Sequence, residues 1–131
     1  MEKIRKKYIC KNQIKKGISG TKQLLSFFKK KTSIALMIDQ RVSEGIKSNF
    51  FKHEAFTTTI PAQFVKKFNC KIVPIYIERI EDINFRLTIY EPLEYSNEES
   101  IESITLDLNY LLEKFILKNP TQWIWSHNRW K

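Results

Sequence analysis

The sequence predicts an α/β fold, a small mixed sheet flanked by helices. Three observations predict it. Two apolar runs of strand length, Ser33–Ile38 and Lys71–Ile77, are accompanied by an alternating segment, Asn84–Tyr90. Apolar residues then recur at helical spacing from Ile101 to Ile116. A chain of 131 residues, 42% hydrophobic and 28% charged, has the composition of one globular domain with its own core. Three glycines and four prolines exclude collagen-like and flexible-linker segments, and no internal repeat is present.

The elements follow in order. Residues 1–16 carry Lys at almost every second position and read as helical or irregular. Gly17 and Gly20 break that segment, and Thr21 opens a helix with Leu24, Leu25, Phe27 and Phe28 on one stripe. Lys29, Lys30 and Lys31 stand at its C-terminal end, where the helix dipole favours cations. Ser33–Ile38 reads as a strand buried on both faces, which puts Asp39 at a strand end, a common functional position in open α/β sheets. Residues 41–56 read as a loop, with Gly45 as its turn and Phe50-Phe51 as an apolar anchor.

Thr57–Thr59 cap a helix that begins near Pro61 and buries Ala62, Phe64, Val65 and Phe68. Pro74 assigns the strand Lys71–Ile77 to an edge or a bulge. The short link to Asn84–Tyr90 predicts an antiparallel hairpin. Ser96 and Glu99 have capping-box spacing before the stripe Ile101, Ile104, Leu108, Leu111, Leu112, Phe115, Ile116, which stops ahead of Pro120. The tail from Thr121 is aromatic and basic, a short segment docked on the sheet. Strands buried on both faces want more helices than the chain offers, which implies covering elements not encoded here.

Charge is unevenly placed. Residues 1–31 hold eleven Lys/Arg and one acid, net +10, whereas residues 32–131 hold twelve Lys/Arg and thirteen acids, net −1. The excess suits an anionic partner, or equally a solvated basic face. It does not suit nucleic acid, because few stacking aromatics interleave it and no zinc, helix-turn-helix or RNP pattern is present. Cys10 and Cys70 lack metal spacing and read as free thiols. No run of 18 apolar residues occurs.

The two histidines carry no recognisable catalytic pattern. Neither His53 nor His127 is followed by an acid at the fifth position, and no P-loop, Rossmann glycine set, Gly-x-Ser-x-Gly elbow or His-Glu-x-x-His pair exists. A Cys-His dyad has nothing beyond two residues of each type to support it. The alternation Trp123, Trp125, His127, Arg129-Trp130 fits a cation–π ladder or a sugar- or acyl-binding surface. On the residues alone it fits better a segment whose tryptophans complete the core while Arg129 packs its stem and exposes its head.

An ordered series of blocks goes further: Asp39-Gln40, Phe50-Phe51, Thr57-Thr58-Thr59, Pro74 with Arg79, and Pro120-x-Gln122-Trp123-x-Trp125-x-His127-x-Arg129-Trp130. This series resembles the C-terminal half of the lipid A biosynthesis lauroyl/myristoyl acyltransferases, in an alphaproteobacterial-like form. The resemblance implies a glycerolipid-acyltransferase-like fold and transfer of a fatty acyl chain from acyl carrier protein to a hydroxyl of a lipid A precursor. It implies work at the cytoplasmic face of the bacterial inner membrane, beside an anionic surface, with no metal, cofactor or nucleic acid.

In such enzymes a histidine, oriented by the carboxylate of a His-x4-Asp/Glu motif, takes the acceptor proton. The resemblance puts that motif, and an N-terminal membrane helix, before Met1. Residues 1–131 are therefore expected to be one partial domain, peripheral at the membrane and without turnover alone. The resemblance offers Arg5, Asp39, Gln40, Thr58 and Arg79 as substrate-binding residues. Arg5 would bind phosphate, Asp39 would orient Arg5 or the acceptor sugar, and Thr58 would bond the acceptor or cap its helix. Phe50, Phe51, Trp125, His127 and Arg129 are offered as acyl-path or structural residues, His127 and Arg129 being structural or membrane-facing. The alternative is a non-catalytic module that binds anionic lipid through residues 1–31.

Overall fold

Lysine-rich segments need a helix terminus or solvent, and the first 36 residues supply both. The computed structural model of the chain describes residues 2–14 and 17–130, in two units, Met1–Leu36 and Met37–Lys131. Lys15, Lys16 and Lys131 of the charge tally lie outside the described residues. The first unit holds helices α1 (Glu2–Tyr8) and α2 (Ile18–Lys29). Gly17 precedes α2 at φ +110°, a conformation that favours glycine, and its carbonyl accepts the Thr21 N–H at 3.1 Å. Gly20 thus lies inside α2, and Thr21 does not open it.

The end of α2 is a Schellman termination. Lys31 takes the left-handed conformation at φ 59°, its N–H bonds the Phe28 carbonyl, and the Thr32 N–H bonds the Phe27 carbonyl at 3.1 Å. The expected strand Ser33–Ile38 does not form. Both ladders among the described residues are closed hairpins, so this run finds no strand partner, and Met37 is 78% exposed.

The second unit is organised by α4 (Ile101–Lys118), whose stripe contacts three other pieces. Ser100 caps it, its hydroxyl accepting the Ser103 N–H at 3.0 Å. The expected capping pair sits one turn earlier: Ser96 N–H donates to the Glu99 carboxylate at 2.8 Å and closes the turn before the helix. The first half of α4 packs Ile104 and Leu108 on Ala62 and Val65 of α3 (Ile60–Phe68), with Ile38, Ile72 and Leu93 at the rim. Burying each such side chain contributes about 1.5–3 kcal/mol. The middle of α4 packs Leu112 and Ile116 on a hairpin of β1 (Ile46–Phe50) and β2 (His53–Thr57).

This hairpin lies in the expected 41–56 loop. Its register pairs Ile46 with Thr57 and Phe50 with His53, leaving Phe51 and Lys52 as a two-residue turn. Both have positive φ, 50° and 64°, the mirror-image turn that tight hairpins favour. Its usual Asn-Gly cue is missing, so the sequence hides it. Gly45 precedes β1 where a Cβ would lie 2.2 Å from the Thr57 carbonyl oxygen.

The end of α4 meets a second antiparallel ribbon, β3 (Ile75–Glu81) and β4 (Asn84–Ile89), the predicted hairpin. The register pairs Ile75 with Ile89, Ile77 with Leu87 and Arg79 with Phe85, then shifts before Glu81. Pro74 stands just outside the ladder, its carbonyl accepting the Tyr90 N–H at 3.0 Å. Tyr76 and Tyr90 pack on Phe115, and Lys118 lies among these three rings. On the opposite face Ile75, Ile77, Phe85, Leu87 and Ile89 are all more than half exposed. Helices and strands mix as the α/β class requires.

Gly45→Ala should destabilise the chain by about 1–3 kcal/mol in urea unfolding, because backbone must move to admit the methyl group. Lys52→Gly should act oppositely, raising stability by about 1 kcal/mol through relief of the left-handed conformation.

Candidate functional site

Aromatic residues from the hairpin and the tail meet first. Phe50 is fully buried, with its ring centroid 4.9 Å from Phe51, 5.5 Å from Trp130 and 6.3 Å from Trp123. Trp130 Nε1 donates to the Phe50 carbonyl at 2.9 Å. Phe51 is held in its unusual conformation by α4: its N–H donates to the Glu113 carboxylate at 2.6 Å, and its ring faces Trp125 at 6.0 Å. Trp125 is half-exposed and donates Nε1 to the Pro120 carbonyl at 2.8 Å.

Arg129 is fully buried, head included. That reverses the expectation of a packed stem and exposed head, and it rules out a membrane-facing guanidinium. Nη1 donates to the Phe56 carbonyl, Nη2 donates to Thr57 Oγ1 at 3.0 Å, and the guanidinium lies 5.3 Å from the Phe50 ring centroid. A buried cation costs several kcal/mol unless it is bonded and compensated, and these contacts compensate it. Burial pushes the Arg129 pKa down, and the Asp39 charge offsets part of that.

Thr57 uses its whole hydrogen-bonding capacity. Its hydroxyl donates to the Ala55 carbonyl at 3.1 Å and accepts from Arg129 and, at 3.2 Å, from Asn109 Nδ2. Asn109 also donates to the Asn49 carbonyl at 3.0 Å. One hydroxyl thereby joins β2, α4 and the tail.

Asp39 lies at a bend, half-buried, and not at a strand end. Its Oδ1 and the Arg129 Nε are both buried without a hydrogen-bond partner among the described residues. Beyond Asp39, residues Arg41, Val42 and Ser43 form one wall of an open cleft of about 410 Å³; Ser126, His127 and Asn128, just before Arg129, form the other. Asn128 is fixed by accepting the Trp130 N–H at 3.2 Å.

Of the other expected site residues, Thr58 and Arg79 serve structure. Thr58 Oγ1 accepts the Ile60 N–H at 3.3 Å, a turn bond at the start of α3. Arg79 donates to the Asp82 carbonyl and lies 4.7 Å over the Phe85 ring, while Gln122 bonds both its backbone N–H and its carbonyl. Gln40 is exposed. Arg5 is exposed on α1, in the first unit. Among the described residues neither imidazole is hydrogen-bonded or ion-paired to a carboxylate, and no helix is long and apolar enough to cross a membrane.

Sequence reading passed over Arg41, Ser43, Asn109, Glu113 and Asn128. Only Asn109 left a cue: with Thr105, Leu108, Leu112 and Ile116 it falls on the buried stripe of α4.

The family model of the bacterial lipid A biosynthesis acyltransferases matches residues 6–131. No curated protein matches the chain.

Thr57→Val keeps the shape but strands two buried donors, and should cost about 1–3 kcal/mol in urea unfolding. Arg129→Ala should cost more, about 3 kcal/mol or above, since it opens a cavity as well.

Proposed function

The chain belongs to the bacterial lipid A biosynthesis acyltransferase family, and on that premise we propose that it forms the acceptor-holding side of an acyl transfer whose general base is not among its residues. Transfer to a hydroxyl requires a base for the departing proton, donors for the oxyanion and a surface that fixes the acceptor. The observation that carries the reading is the pairing of a family match over residues 6–131 with two histidines that lack a carboxylate five residues on.

On this reading the donor is an acyl thioester on acyl carrier protein, and the acceptor is a lipid A precursor. Arg5, in the first unit, offers a planar fork suited to phosphate. Asp39 and Gln40 orient the acceptor sugar, and Arg79 offers a second cation. Thr58 spends an acceptor lone pair on Ile60 and keeps its own O–H for substrate. The net +10 of residues 1–31 suits an acidic carrier protein and the anionic cytoplasmic leaflet of the inner membrane, where each cation near the surface contributes about 1 kcal/mol. The same charge favours a second reading, a non-catalytic module that binds anionic lipid.

Two measurements on the purified chain decide. With acyl carrier protein thioester and lipid A precursor it should give no transfer above background, and turnover well above background would overturn the missing-base assignment. In flotation it should prefer lipid A vesicles to phosphatidylglycerol vesicles of equal charge. Equal capture on both would favour the module, and no capture on either would end the acceptor reading.

A further inference from the structure

We infer that the cleft between residues 41–43 and 126–128 recognises a phosphomonoester on a sugar ring. The inference rests on the acceptor reading above and assigns that acceptor a specific contact. The lining decides the ligand class. Arg41 and the His127 ring contribute N–H donors, Ser43 and Ser126 contribute hydroxyls, Asn128 contributes an amide, and Val42 alone is aliphatic. Among the described residues no carboxylate side chain lines the cleft. The cation and the neutral donors on both walls are the groups that an anionic, hydroxylated ligand needs.

Availability points the same way. Among the described residues the Arg41 guanidinium and the His127 ring have no hydrogen-bond or ion-pair partner, so neither donor needs to be freed before binding. A volume of about 410 Å³ fits a sugar phosphate, and the open mouth lets the rest of a larger ligand lie outside. One wall is also anchored: Asn128 accepts the Trp130 N–H at 3.2 Å, and the adjoining Arg129 is buried and bonded to Thr57. A wall held in this way loses little freedom on binding.

The test is NMR titration of the isotope-labelled full chain, following Arg41 Nε–Hε and the His127 ring. N-acetylglucosamine 1-phosphate should shift both saturably, inorganic phosphate more weakly, and N-acetylglucosamine not at all. Arg41→Ser and His127→Asn, both at exposed positions, should each weaken sugar-phosphate binding about tenfold while leaving the fold's spectrum intact. No saturable shift at these groups, or full affinity in both variants, overturns the inference.

Vesicles carrying lipid A separate the sources. Capture weakened by the same variants assigns the site to a lipid headgroup. Capture that survives them, with sugar-phosphate binding lost, assigns it to a soluble sugar phosphate and overturns the headgroup contact. Cleft binding without any vesicle capture sinks the acceptor reading alone. Vesicle capture without cleft binding sinks this inference alone.

Discussion

A single guanidinium ties the second unit together. Arg129 bonds the Phe56 carbonyl of β2, shares the Thr57 hydroxyl with α4 and lies against Phe50, and the Asp39 charge favours its ionised form. Each contact alone is modest. Their sum must exceed the several kcal/mol of desolvating an arginine, so none can be removed cheaply. Polar groups inside a core also specify: an apolar residue at 129 would tolerate a sliding tail, whereas a fork with fixed donor directions accepts one register.

The tertiary constraint explains what was legible in the sequence. The stripe of α4, the apolar face of α3 and the β3–β4 hairpin have periodicities that a short window contains. The β1–β2 hairpin does not, because Phe51-Lys52 in a positive-φ turn is held by Glu113, sixty-two residues away. Ser33–Ile38 has a strand's composition but no strand to pair with among the described residues, and composition alone supplies no partner. Within the site, the aromatic tail stood out as unusual, yet its local pattern allowed Arg129 to point either way. Burial of the head depends on Phe56 and Thr57, which no window around residue 129 includes.

Family and chemistry separate in this molecule. Membership is carried by a pattern spread over 126 of its 131 residues, much of which is architectural here: Thr57, Phe50, Arg129 and Trp130 hold the fold together. A set of polar side chains lies where the segment after Asp39 meets the segment before Arg129. Motif residues such as Thr57, Phe50 and Arg129 can thus be indispensable to the fold without touching a substrate.

The tail's contacts with the hairpin also span long stretches of chain. Arg129 reaches Phe56 across 73 residues and Trp130 reaches Phe50 across 80. Closing such a loop is entropically unfavourable until the intervening helices have shortened the path, whereas each hairpin and α4 can form from near neighbours. The tail should therefore dock last in folding. Until it does, the chain passes through a species in which Phe50 lacks its tryptophan cover and Thr57 waits with an unfilled lone pair, so the order of assembly follows from the position of one arginine.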